Sequence, residues 1–234
     1  MTETTFSGAA GEVRGYLAVP DGDGPWPGVV VIHEAYGIDD DTRRITDELA
    51  SKGYLALAVD LFSWGGTARC LMASFRSLSS GKGRAYDDIE AARQALQQRD
   101  DCTGRIGVIG FCMGGGFALV AAPRLDFQVA SANYGMVPKD AEEALAGACP
   151  IIGSYGERDR FLRKHVRRLE SALTTLGIDH DVKSYPDASH GFLNKHAHGL
   201  PQIVNRISGY GHHGPSAEDA WRRIDAFFAK HLRD

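Results

Sequence analysis

No apolar run in the sequence approaches the 18 or more residues that a membrane-spanning helix needs. The longest runs, such as Gly28-Val29-Val30-Val31-Ile32, have the length of a buried strand. Basic residues are not in excess: 26 Lys+Arg against 30 Asp+Glu give a formal net charge of −4. That excludes the basic face a nucleic-acid binder turns toward phosphates. Neither sign of charge forms a block, which excludes a charged disordered tail. Cysteine is scarce, with Cys70, Cys102, Cys112 and Cys149 in 234 residues and no C-x-x-C spacing, so a disulfide scaffold is excluded. The opening Met1-Thr2-Glu3-Thr4-Thr5 has no basic cluster followed by an apolar stretch. No signal peptide is expected, and the cytoplasm is the expected compartment. Glycine is abundant, 28 of 234 residues against a usual share of about 7%, and much of it falls where strands end.

Short β-branched runs alternate with longer amphipathic stretches. The pattern predicts strands at 13–19, 29–32, 54–59, 106–109, 129–132, 150–155 and 180–185. It predicts helices at 42–52, 86–97, 163–176 and 217–232, and a small-residue helix after Cys112. Residues 63–84 have the weakest periodicity and are expected to form a partly helical excursion. Such alternation gives a mostly parallel sheet with helices on both faces, here one domain over residues 1–234. Active sites in such sheets lie past the carboxyl ends of the strands, so chemistry is sought there.

Gly110-Phe111-Cys112-Met113-Gly114 follows an apolar strand and opens a helix. This is the small-x-nucleophile-x-small arrangement of a nucleophile elbow, with Cys in the place of Ser. The turn is so tight that the positions two before and two after the nucleophile can hardly carry side chains. It lifts the sulfur above the sheet edge, where the helix N-terminus favours a thiolate, and it turns the Met113 amide toward a forming oxyanion. A cysteine at a strand end can instead be a small hydrophobe, and a glycine-rich turn can cradle phosphate. Neither the dinucleotide fingerprint nor the Walker pattern is present, however. Asp159 and His190 each follow a predicted strand, in the chain order nucleophile, acid, histidine. His190 would take the thiol proton, and Asp159 would hold its tautomer. Taken singly, Asp159 also reads as a helix cap and His190 as a loop residue. His33-Glu34 follows an early strand, but Gly37 stands four residues after His33, so H-E-x-x-H zinc binding is not expected. That loop is where these folds supply a second oxyanion amide, here that of Ala35.

These segments, with Tyr54 to Phe62, Gly156 to Asp159 and Ser189-His190-Gly191-Phe192, resemble the dienelactone hydrolase family of α/β-hydrolases over nearly the whole chain. The resemblance implies an α/β-hydrolase fold and a triad of Cys112, Asp159 and His190. It also implies a Glu34 that pairs with the resting thiol and helps deprotonate it, and an oxyanion hole from Ala35 and Met113. Family members that cleave dienelactone carry an Arg shortly after the catalytic His. Asn194 stands four residues after His190 here, with Arg69 or Arg76 as candidate replacements. Tyr36, Phe111 and Asn194 are expected to contact substrate. The expected activity is hydrolysis of a small-molecule ester or lactone through an acyl-enzyme on Cys112, by a monomer or small homo-oligomer. No metal, cofactor, nucleic acid or membrane is expected to take part. The rivals are a thioesterase or general carboxylesterase without dienelactone activity, and a catalytically idle small-acid binder. His196-x-His198, His212-His213 and the basic run Arg163 to Arg168 are expected to be loop and surface features. Trp64, Phe75 and Tyr134 are candidates for pocket lining or simple packing.

Overall fold

The valine-rich runs become the middle of one eight-stranded sheet in the computed structural model, which describes residues 1–195 and 211–233. The strands are β1 (Thr2–Gly8), β2 (Gly11–Ala18), β3 (Trp26–Ile32), β4 (Leu55–Val59), β5 (Cys102–Phe111), β6 (Val129–Asn133), β7 (Ile151–Gly156) and β8 (His180–Tyr185), in the spatial order β1-β2-β4-β3-β5-β6-β7-β8. β1 and β2 form an antiparallel hairpin and β2 runs antiparallel to β4, while the pairs from β4 through β8 are parallel. Val29, Val30, Val31 and Ile32 are each 0% exposed, as a strand covered on both faces requires. The carboxyl ends of the six parallel strands therefore share one edge of the sheet.

The helices are α1 (Asp40–Ser51), α2 (Thr67–Ser80), α3 (Arg84–Gln97), α4 (Met113–Ala121), a single turn α5 (Ala141–Ala144), α6 (Arg163–Leu176) and α7 (Gly214–Leu232). α1 is capped by Asp39, whose carboxylate accepts the Thr42 N–H at 2.8 Å. α4 is buried along its whole length and packs against β5 and β6. Among the described residues no helix is long and apolar enough to cross a membrane.

The excursion expected over 63–84 is partly helical, as read: it holds the 14-residue helix α2, Thr67–Ser80. Its periodicity is faint because its buried positions are Cys70, Ser74 and Ser77, small and mostly polar side chains rather than an apolar stripe. β1 was not anticipated at all. It is an edge strand of Thr, Glu and Ser in which only alternate residues are even half-buried, so no apolar alternation marks it.

Candidate active site

β5 ends at Phe111, α4 begins at Met113, and Cys112 makes the turn alone with φ 52° and ψ −113°. A non-glycine residue held there costs on the order of 1–3 kcal/mol. Its neighbours hold it: the Cys112 N–H donates to the Asn133 carbonyl at 3.0 Å, and the Gly116 N–H donates to the Cys112 carbonyl at 3.2 Å. Asn133 Nδ2 also donates to the Gly110 carbonyl at 3.2 Å, clamping the strand just before the turn. A Cβ on Gly110 would collide with the Gly114 carbonyl, and one on Gly114 with the Ile32 carbonyl. Both positions must be glycine, and Cys112 is left half-buried at the sheet edge.

The loops after β7 and β8 are stitched together. Glu157 N–H donates to the Tyr185 carbonyl and Arg158 N–H to the Ala188 carbonyl, each at 3.0 Å. Gly156 permits the approach, since a Cβ there would sit 2.6 Å from the Ala188 carbonyl oxygen. The stitching sets Asp159 Oδ2 2.6 Å from His190 Nδ1. The other oxygen, Oδ1, accepts the Phe161 N–H at 3.0 Å and the Leu162 N–H at 3.3 Å. Asp159 is not the cap of α6, whose N-cap is Leu162; its second oxygen instead braces the turn that leads into that helix, while the first holds His190. Burial raises the Asp159 carboxyl, but the His190 bond and charge, with the two amides, outweigh it and leave it below its ordinary range. Burial likewise disfavours the His190 imidazolium, and hydrogen bonds to Asp159 and Cys112 outweigh it, lifting His190 to about 10. Cys112, Asp159 and His190 thus come together from three strand ends.

On the other side of Cys112, Glu34 is buried, Ala35 half-buried and Tyr36 exposed. The Tyr36 phenol is raised, by burial first and then by the negative charges of Glu34 and Cys112, so this loop reaches the thiol. Phe111 is a correction. It is 1% exposed, its ring packed at a tilt with centroids 6.0 Å from Trp221 and 6.3 Å from Tyr134, so it belongs to the core and not to the substrate surface. Asn194 also departs from its expected place facing substrate. It is 4% exposed, and its Oδ1 accepts the Tyr134 hydroxyl at 2.7 Å.

Sequence reasoning overlooked Asn133 and underrated Tyr134. The Tyr134 ring stands 5.1 Å from His190, and its backbone has φ 39°, so a second strained non-glycine residue abuts the site. Asn-Tyr-Gly at the end of a short strand was the available signal. Trp64 lies between the guanidinium groups of Arg69 and Arg84, at 5.2 and 5.5 Å. Arg69, Arg76 and Phe75 are exposed on α2. In the basic run, His165 Nδ1 accepts the Val137 N–H, and Arg168 donates to the Val137 and Pro138 carbonyls. Part of that helix face is therefore structural, while Arg163, Lys164 and Arg167 are exposed. His213 bonds Ser216 at the start of α7, and His196 and His198 lie outside the described residues.

A mostly parallel sheet with a nucleophile-elbow turn after its fifth strand defines an α/β hydrolase. The sequence pattern of the dienelactone hydrolase family matches residues 13–232, and the chain belongs to that family, a family of hydrolases acting on esters and lactones. A "Putative carboxymethylenebutenolidase" of Yersinia pestis is 28% identical, over 98% of this chain and 88% of that protein. A protein of the same name from Escherichia coli (strain K12) is also 28% identical, over 97% of this chain and 86% of its own length. The crystal structure of a "Putative Dienelactone Hydrolase" from Klebsiella pneumoniae subsp. pneumoniae MGH 78578 superposes with a TM-score of 0.80 at 26% identity, covering 98% of both chains.

Proposed function

We propose that this protein is a cysteine hydrolase of neutral esters or lactones, with Cys112 as nucleophile, His190 as base and acid, and Asp159 holding His190. The observation that carries the reading is the imidazole of His190, bonded to Asp159 at 2.6 Å and electrostatically coupled to the Cys112 thiol, at an elbow only a strained Cys112 backbone could form. The thiolate adds to the carbonyl carbon, and the carbonyl oxygen becomes an oxyanion held by the Met113 and Ala35 amides. The C–O bond of the ester then breaks as His190 delivers its proton to the leaving alkoxide. Water, deprotonated by His190, attacks the thioester, frees the acid and restores the thiol. Glu34, buried beside this path, helps take the thiol proton when substrate arrives.

The preference for uncharged substrates rests on two features. With Asn194 turned into the core, it brings no guanidinium to a substrate carboxylate, where an Arg would make two charge-assisted bonds. The loops at the same sheet edge carry exposed apolar side chains: Tyr36 after β3, Met136 after β6 and Phe161 after β7. Turnover of neutral aryl esters, lactones, thioesters and dienelactone by the purified protein tests the substrate class, and kcat/KM for a neutral aryl ester at least equal to that for dienelactone is expected. A strong preference for dienelactone would assign a cation elsewhere, Arg69 or Arg76 first. Limiting iodoacetamide tests the nucleophile. Burial raises the thiols of Cys70 and Cys102 and pushes that of Cys149 up to about 12, so Cys112 should be labelled first. Labelling of another cysteine ahead of Cys112, with no ester turnover, would favour the idle small-acid binder.

A further inference from the structure

His33 was set aside above as a zinc ligand, yet it is 1% exposed and sits at the end of β3, immediately before the loop of Glu34 and Ala35. Its two ring nitrogens have unlike partners. Nε2 lies 3.1 Å from the Leu61 backbone N–H, which can only donate, so Nε2 carries no proton. Nδ1 therefore bears the proton and donates it to the Glu34 carbonyl at 2.5 Å. Burial, the largest influence on His33, holds it in this neutral form by lowering its proton affinity. Asp60 does not compete for the ring. Its Oδ1 is 3.9 Å from Nε2 and accepts the Phe62 N–H, while its Oδ2 pairs with Arg14.

Sheet order gives these bonds a direction. β3 lies between β4 and β5, so Leu61, just past β4, is on one flank of His33, and Cys112, just past β5, is on the other. His33 bridges toward the β4 flank and draws the Glu34 carbonyl to itself. That carbonyl and the Ala35 N–H belong to one planar trans peptide, in which C=O and N–H point opposite ways. Fixing the carbonyl toward β4 turns the Ala35 N–H toward β5 and Cys112. We infer that His33 is a positioning residue which, through its single-tautomer bridge between Leu61 and Glu34, locks the Ala35 amide in the orientation an oxyanion needs.

This rests on the cysteine-hydrolase reading, and two variants of one shape separate the two. His33→Gln keeps an N–H for the Glu34 carbonyl and an oxygen for the Leu61 N–H, whereas His33→Met fills the same space with neither. Removing an oxyanion donor outright costs about 10²–10³ in kcat, and a donor left in place but free to turn should cost part of that. His33→Met should lower kcat on an aryl ester by about ten- to a hundredfold with KM changed less than about threefold, and His33→Gln should stay within about threefold of the parent. Alkylation of Cys112 by iodoacetamide forms no oxyanion, so its rate should stay within about twofold in both variants. Equal losses in hydrolysis and alkylation, or a Gln variant as slow as Met, would overturn the positioning role. If His33→Met does not fold, the Gln variant still decides. A hundredfold loss there, with alkylation intact, would show that the bridge is not what the reaction uses. If Cys112→Ala retains activity the nucleophile reading fails. If Cys112→Ala is inactive and His33→Met is unimpaired, the inference about His33 fails alone.

Discussion

Cys112 stands between two unlike flanks. On the β7–β8 side, Asp159 and His190 meet through loops tied by backbone hydrogen bonds at 3.0 Å, and the chemistry is carried by side chains. On the β3–β4 side the proposed oxyanion donor is a backbone group, the Ala35 amide, and the side chains there, His33 and Glu34, are buried. In the proposed mechanism the first flank moves the protons of each turnover, and the second holds the charge that appears on oxygen and, through Glu34, assists in taking the proton of the resting thiol. The contrast predicts different failures: changes on the first should abolish turnover, and changes on the second should slow one step.

The largest effects belong to the proton-handling flank. Cys112→Ala and His190→Ala should each lower kcat by about a thousandfold or more, and the double variant should be little worse than either, because groups acting as one unit are not additive. Losses that multiply would separate the two residues. Asp159→Asn should fold normally, since an amide oxygen can still accept the Phe161 and Leu162 N–H groups, and it should lower kcat by about 10²–10⁴ through loss of the fixed tautomer. Phe111, next to the nucleophile in sequence, should behave as neither flank does. With its ring between Trp221 and Tyr134, Phe111→Ala should cost about 3–5 kcal/mol in denaturant unfolding, and a stable variant with altered substrate preference would return Phe111 to the substrate surface.

Smaller effects fall on the second flank and on pH. Glu34→Gln should slow acylation by about tenfold or more while leaving deacylation nearly unchanged, seen as a slower burst on an aryl ester; a selective loss in deacylation would contradict the assigned role. His190 is raised above its unfolded value, to about 10. The imidazolium therefore adds stability that is complete below about pH 6.5 and is lost as pH rises through about 10. The urea midpoints of wild type and His190→Gln should accordingly converge between pH 7 and 10.5. A constant gap would mean that the proton on His190 does not couple to folding.

The flanks also differ in how much of them could be read from the sequence. Gly110-Phe111-Cys112-Met113-Gly114, Asp159 and His190 were legible because a tight turn demands glycine at fixed offsets and strand ends demand chain order. The parallel strands were legible for a related reason, as continuous apolar runs from Val29 to Ile32 and Leu55 to Val59 have no other place to go. What hid was whatever works through backbone or small polar groups. His33 looked like half of a metal motif, although its partners are a carbonyl and an amide that no residue code reveals. The Asn133 carbonyl that holds the Cys112 amide is likewise invisible in sequence, and the bounds of α2 were not legible because Cys70, Ser74 and Ser77 form its buried face. Adjacency misled for Phe111: neighbours along a strand face opposite sides, so the residue before the nucleophile points into the core.

The central claim is covalent catalysis at Cys112, and acid-quenched peptide mass spectrometry tests it most directly. The protein is mixed with a neutral aryl ester, quenched within the burst, and digested. A single acyl group on the Cys112 peptide, present in wild type and absent in Cys112→Ala, is the predicted result. Turnover at the wild-type rate with no acyl group on Cys112, or with the adduct on another residue such as Ser189, would contradict it.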